Sequence, residues 1–407
     1  MEYAVNLPMP TTPHNTDSRL ALKIGATTVC RLLLNLARRF PYPFAPALGR
    51  GMGVSLEAVT SLIAVNQITG ILSPLFGPLG DKWGYRSMLL AGMGLLAGGM
   101  LLAGFLPFYG ILMLALFMAG LGKGIFDPAI QAYVGQRVPF HRRGLVIGIM
   151  ETAWAGSSLI GIPVTGFVIA HLGWRSPFFL LGGLGLAGMA VIAVLIPAAR
   201  HTPGIPRKQT DYWAALRLLL RERAALKILG FAFFICAAID NFFVVYGAWL
   251  ENVFNLDIVT LGMTTIAIGI AELSGEGLTA FLADRLGLRR SVVMGALLSG
   301  TSYMLLPLSG ENFCMAMAAL FCVFITLEFS LVSFLSLCTE ILPGARATMM
   351  SGVLATAGLG HVAGALIGGP LWIAGGIWVI VCVSALISVL AVIFLLWGLH
   401  EWVPENS

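Results

Sequence analysis

Long apolar runs, each able to cross a bilayer as a helix, follow one another along almost the whole of this 407-residue chain. They fall at about 22–47, 57–80, 87–107, 109–135, 143–170 and 176–197, then at 226–250, 258–282, 289–308, 312–339, 346–373 and 376–398. Each meets the requirement of about 20 residues for a hydrocarbon core roughly 30 Å thick. The expected fold class is therefore an all-α membrane protein with twelve transmembrane helices. Composition closes the alternative. Only 11% of residues are charged and 58% are hydrophobic, with a mean hydropathy of +0.90, whereas a water-covered globule has about 25% charged residues.

The runs divide six and six around the polar stretch 198–225, "ARHTPGIPRKQTDYWAALRLLLRER" in its main part, which starts Pro-bearing and turns amphipathic and basic. It suits an interfacial segment between two bundles. The expected parts are a cytoplasmic tail over 1–21, a six-helix bundle over 22–197, the central loop 198–225, a second bundle over 226–398 and a tail over 399–407. Residues 1–20 have no apolar core followed by a cleavage site, so the first span is expected to serve as the insertion signal. The six cysteines sit inside apolar stretches without CxxC spacing and read as small buried hydrophobes.

Most of the 24 Lys and Arg residues fall on one side of this layout: Arg19, Lys23, Lys82, Arg86, Arg137, Arg142, Arg143, the cluster from Arg200 to Lys227, Arg285, Arg289, Arg290 and Arg346, against Arg50 and Arg175 on the other. By the positive-inside rule both termini are cytoplasmic, in a cell membrane. The net charge of +5 needs no nucleic-acid partner.

The link after the second run reads "GPLGDKWGYR", with Gly77, Leu79, Asp81, Lys82, Gly84 and Arg86; the link after the eighth reads "AFLADRLGLRR", with Leu282, Asp284, Arg285, Gly287, Arg289 and Arg290. Adding 203, half the chain length, carries Leu79, Asp81, Lys82, Gly84 and Arg86 onto the second link position by position. The chain reads as a duplicated six-helix unit of the kind found in transporters built from repeats around a midplane site. The link glycine serves a turn that other residues resist, the carboxylate can cap a helix N-terminus, and the arginines suit phosphates and carboxylates.

On these residues the chain resembles the major facilitator superfamily, whose loop signature is G-x-L-x-D-[RK]-x-G-x-[RK]. Within it the sequence is similar to the twelve-helix drug and metabolite exporters. Helix 5 carries Gly161, Pro163 and Gly166, close to the antiporter pattern G-P-x-x-G but with Ile162 before the proline. The exporter arginine of helix 4 would fall at Leu116; Lys123 stands seven residues on, along the same face. The resemblance implies two pseudo-symmetric bundles, alternating access, a conformational latch at Gly77, Asp81, Lys82, Gly84, Arg86, Asp284, Arg285, Gly287 and Arg289, and a monomer.

Charges inside the spans carry the rest. Arg31, Asn35 and Arg38 share one face of helix 1 by their i, i+4, i+7 spacing. A central arginine costs at least about 2.5–3.5 kcal/mol to insert, so it should meet a cavity or a carboxylate. Arg39 is expected near the outer end, where Pro41, Pro43 and Pro46 stop the helix. The acidic groups are Asp127, Glu151, Asp240, Glu272, Glu276 and Glu328, so intramembrane bases lie only in the first half and most acids in the second. Three uses compete: structural pairs such as Lys123 with Asp127 and Arg31 with Glu151; proton coupling at Glu151, Asp127, Asp240 or Glu272; and substrate contact at Arg31, Asn35, Arg38, Asp240, Asn241, Glu328, Tyr246 and Trp154. His361 reads first as a packing group.

The expected function is secondary active transport, with proton-coupled export of a small amphipathic, anionic or zwitterionic, molecule as the leading reading. Uptake of an organic anion, or movement of a lipid-like amphiphile, fits the same fold. A polytopic enzyme or receptor is the rival of another class. Neither GxSxG nor HExxH nor another metal spacing occurs, so neither catalytic residues nor a metal or cofactor is expected.

Overall fold

The structure, a computed structural model, describes residues 18–76, 83–138, 140–197, 217, 221–342 and 346–401. Helix dominates. We number the spans α1–α12. The first half contains α1 (Ser18–Arg39, resuming as Ala45–Met52), α2 (Leu56–Ile68, continued by a 3-10 turn, Thr69–Leu75), α3 (Tyr85–Phe105), α4 (Tyr109–Arg137), α5 (Phe140–Gly156, a π turn Ser157–Gly161, then Ile162–Leu172) and α6 (Ser176–Leu195). The second contains α7 (Arg223–Phe243, then Tyr246–Phe254), α8 (Ile258–Leu286), α9 (Leu288–Tyr303 with Leu305–Leu308) and α10 (Phe313–Ile341). The stretch Arg346–Glu401 supplies α11 and α12, which part at Gly375 and Gly376, where the backbone leaves helical geometry.

Among the described residues, ten helices are long and apolar enough to cross a membrane, and Ala45–Met52 with Leu56–Leu72 adds a bent pair. Dividing the longest helix at Gly376 brings the spans to twelve, as the apolar runs imply. Most of the linker expected at 198–225 lies outside the described residues, as do 1–17 and 402–407.

Span starts follow local chemistry. Ser55, Asp257 and Asn312 each accept a hydrogen bond from the backbone N–H three residues on, capping α2, α8 and α10. Pro41 and Pro43 explain why α1 stops at Arg39: each lacks an N–H for the helical ladder, and each ring crowds the preceding turn. Pro163 also lacks an N–H, but α5 runs on through it, and the π turn just before it widens the helix to accommodate the ring.

The repeat is visible in the backbone. Gly84 stands at φ 82°, ψ 144° and Gly287 at φ 83°, ψ 139°, each the N-cap of the span that follows. A second pair at the same offset, Gly173 (φ 85°) and Gly376 (φ 60°), turns the chain between α5 and α6 and between α11 and α12. A side chain is strained at all four positions.

The halves meet along α2 against α11 and α5 against α8. A methyl built at Gly166 would stand 3.0 Å from the Ile258 carbonyl oxygen and 3.4 Å from the Gly262 Cα, and Gly70 lies against Gly358 deeper in the spans. Near the ends of α1 and α7, Gly247 packs onto the Pro43 carbonyl, and Arg50 pairs with Glu251 at 2.6 Å. The core holds large aromatics such as Phe40, Phe44, Phe178, Phe242 and Trp249. Cys30, Cys236 and Cys338 are buried as expected, whereas Cys322 is half-buried and Cys314 and Cys382 are exposed, which corrects the reading of all six as buried.

Gly287→Ala should cost about 1–3 kcal/mol because its backbone region is essentially reserved for glycine. Gly277→Ala, in a helix with open space around the added methyl, should be neutral or stabilising by up to about 1 kcal/mol. Thermal unfolding of the two purified variants checks both signs.

Candidate functional site at the interface of the halves

Among the described residues, three polar clusters lie inside the spans, and the break in α1 organises two of them. The first is confined to the first half. Arg31 Nε stands 3.1 Å from Asp127 Oδ1, Arg31 Nη1 stands 2.9 Å from Glu151 Oε1 and donates to the Met150 carbonyl, and Lys123 Nζ reaches Asp127 Oδ2 at 2.6 Å. Two bases and two acids from α1, α4 and α5 compensate one another. Arg31 is buried, whereas the Glu151 side chain is 40% exposed and turns its remaining surface to open space.

The second cluster crosses the halves. Arg39, the last residue of the first α1 segment, places Nη2 2.6 Å from Glu272 Oε1 and Nη1 3.2 Å from Glu272 Oε2, a two-pronged guanidinium–carboxylate bond to α8. Glu272 also accepts from Trp154 Nε1 at 3.1 Å and from Ser158 Oγ at 3.3 Å, both on α5. The Arg39 guanidinium lies over the Trp154 ring, 4.3 Å from its centre. Both charged side chains are only 3% exposed. The expectation of Arg39 near the outer end is corrected: the chain continues outward as Ala45–Met52 beyond the break, so Arg39 lies deeper and faces α8.

The third cluster also crosses the halves. Asp240 on α7 accepts from the Tyr42 hydroxyl at 3.1 Å and from Gln67 Nε2 at 3.4 Å, and Gln67 donates a further, short bond to the Tyr42 oxygen. His361 on α11 brings Nδ1 to 3.2 Å from the same Asp240 oxygen, off the hydrogen-bonding direction. Tyr42 belongs to the non-helical segment between the two pieces of α1, and its ring packs on Phe243, 4.5 Å between centres.

The remaining sequence candidates are distributed differently. Arg38 is partly exposed and has no ion pair among the described residues; Glu276 and Glu328, also partly exposed, likewise have none. Glu328 lies within electrostatic range of Glu272, Glu276, Glu151 and Arg39, and its Cβ is close to Gly275 on α8. Asn35 is buried, and its amide has no partner among the described residues. Asn241 turns its amide into the second half, to the Ile380 carbonyl and Ser384 Oγ, and Tyr246 is fully buried against Phe243. Of the expected latch, Gly77, Asp81 and Lys82 lie outside the described residues, as does the Asp284 side chain. Arg86 donates to the Ala193 carbonyl at 2.6 Å, and Arg285 and Arg289 are exposed.

Sequence reasoning passed over Tyr42, Gln67 and Ser158 and ranked His361 low. The available signal was the proline-ringed break after Arg39, which marks a place where side chains leave the helical register. The split of bases and acids between the halves did point to attraction across them.

Two six-span halves related by a 203-residue repeat and joined by buried polar contacts describe a transporter fold, and the family profile decides it. The profile of the Major Facilitator Superfamily matches residues 27–276. This chain belongs to that superfamily. It is 25% identical over 298 residues to the MFS-type transporter YceJ of Bacillus subtilis, covering 73% of this chain and 75% of the relative. It is 28% identical over 278 residues to the multi-drug resistance efflux pump PmrA of Streptococcus pneumoniae, covering 65% and 67%. The crystal structure of a bacterial homologue of the human lysosomal transporter Spinster, inward-facing and unoccupied, shares the fold with a TM-score of 0.76 at 14% identity, covering 94% of this chain and 95% of that one. The protein is thus a multi-pass membrane transporter.

Removing one member of the Arg39–Glu272 pair leaves the other charge buried without compensation, at a cost of about 3–5 kcal/mol. Glu272→Leu and Arg39→Leu should each lower the unfolding temperature sharply. The double variant should recover most of the loss, and a double-mutant cycle of melting measurements reads the coupling.

Proposed function

We propose that this transporter is a proton-coupled exporter in the plasma membrane, with both termini cytoplasmic, carrying a small amphipathic molecule by alternating access. One observation supports this reading above the others: Glu272 and Asp240, buried in the second half, take their donors mainly from the first. Rocking the halves apart removes Arg39, Trp154 and Ser158 from Glu272, and Tyr42 and Gln67 from Asp240. Opening thus leaves both carboxylates without the donors of the closed state, which makes them the proposed proton carriers, and closing returns the guanidinium to Glu272.

The joined end of the halves is the one expected to face outward, so loading occurs from the cytoplasm. Arg38 offers a positive group from the first half, and Glu276 and Glu328 offer negative groups from the second. Such a pair of walls favours a zwitterion or a molecule with separated polar ends, and the Trp154 ring offers a face for its apolar part. The repeated links 77–86 and 284–290 act as the latch of the opposite closed state. The relative named as an efflux pump agrees with the outward direction.

In proteoliposomes, Glu272→Gln and Asp240→Asn should reduce pH-gradient-driven transport at least about tenfold, equivalent to about 1.4 kcal/mol, while counterflow exchange of substrate persists. An unchanged response to the pH gradient in both variants would overturn the coupling. Arg38→Ala should weaken substrate binding with little change in melting temperature, measured by ligand-induced thermal shift over a panel of amphipathic compounds.

A further inference from the structure

A groove of about 1270 Å³ runs down the flank of the second half, away from the polar clusters. Its wall is aliphatic: Val293, Met294, Leu297 and Leu298 from α9, Leu337 from α10 and Leu396 from α12. Met294, Leu297, Leu298 and Leu396 are between 37% and 46% exposed, so the wall is open to hydrocarbon along its length. At the head of the groove, where α9 emerges from the link after α8, stand Arg289 and Arg290, with Glu340 on the facing edge of α10. All three are exposed, and among the described residues none has an ion pair.

We propose that this groove is a binding site for one anionic phospholipid, its phosphate held between Arg289 and Arg290 and one acyl chain lying along α9. Length and charge both select this occupant. From residue 289 to 298 the helix rises about 14 Å at 1.5 Å per residue, close to the depth of one leaflet, half of a core about 30 Å thick. The arginines sit at the polar boundary and the aliphatic wall begins within one turn, which reproduces the order of headgroup and chain in a leaflet. Two guanidinium groups against one carboxylate leave the rim at a net charge of +1, matched to a single phosphodiester. A lipid with an added ammonium group loses that match. The guanidinium fork suits phosphate oxygens better than a point charge would. The link between α8 and α9 is the second copy of the repeated loop, so the lipid would sit beside a segment that adjoins the moving half. The first copy has Tyr85 and Ser87 where the second has Leu288 and Arg290, so the site belongs to this half alone.

The test is lipid retention by the purified full-length protein, read by native mass spectrometry after exchange with phosphatidylglycerol, phosphatidylethanolamine or soluble glycerol 3-phosphate. Phosphatidylglycerol should be retained in preference to phosphatidylethanolamine, and glycerol 3-phosphate alone should not be held. Arg290→Gln should lower phosphatidylglycerol retention about fivefold, the contribution of one basic residue at an anionic surface. Leu297→Trp, which fills the groove from an exposed position, should abolish the preference while leaving the headgroup residues intact. Equal retention of the two phospholipids, retention unchanged in both variants, or binding of glycerol 3-phosphate as strong as that of the lipid would each overturn the proposal.

Discussion

A guanidinium carried into hydrocarbon must find its counter-charge inside the protein, and in this chain that requirement joins the two halves. Arg39 and Glu272 are nearly inaccessible, and each lies on a different half. The pair is more than a Coulombic contact: Glu272 accepts from Arg39, Trp154 and Ser158, and its lone pairs are used by the first half. A buried ion pair is not a strong stabiliser compared with an apolar replacement of equal volume. Its physical value lies in its asymmetry, since either charge alone is intolerable in this setting. The contact therefore acts as a condition on how the halves can be placed, as does the Asp240 cluster a short distance along the same break in α1.

The breaks in the helices are what make those contacts reachable. A continuous α1 would set Arg39 and Tyr42, three residues apart, on one face of the helix and aim both at the same neighbour. Pro41 and Pro43 end the helix instead, and the freed segment carries Tyr42 toward Asp240 while Arg39 turns to α8. The π turn ahead of Pro163 acts comparably in α5, in the region that presents Trp154 and Ser158 to Glu272. Close approach of backbones at Gly166 and Gly262, and at Gly70 and Gly358, then brings the halves near enough for short side chains such as serine to bridge them.

Much of this was legible in the residues. The apolar runs announce the spans, and the matched links announce the duplication, which the backbone repeats in the conformations of Gly84 and Gly287. The pair Gly173 and Gly376, at the same offset, shows the repeat where the surrounding residues have diverged. The Lys123–Asp127 and Arg31–Glu151 contacts were also visible, one as a spacing on a helix and the other as opposite charges at similar depth. Asn241 shows the limit: its position in a span marks it as polar and costly, yet it is used to tie α7 to α12 through Ile380 and Ser384.

The sequence by itself determined that the chain lives in a bilayer, that it crosses twelve times, that it is built from a repeated unit and that its interior bases and acids are segregated by half. Those properties follow from hydropathy, spacing and the special conformations of glycine and proline, all of which act over one helix or one turn. Which base meets which acid was decided only by tertiary structure. The choice of Arg39 over Arg38 for Glu272, and of Tyr42, Gln67 and His361 as the company of Asp240, depends on the phase of each helix after its break and on how closely the glycines let neighbours approach. Those are properties of packed surfaces from four or five spans at once, and a helical period read along one span carries no information about them.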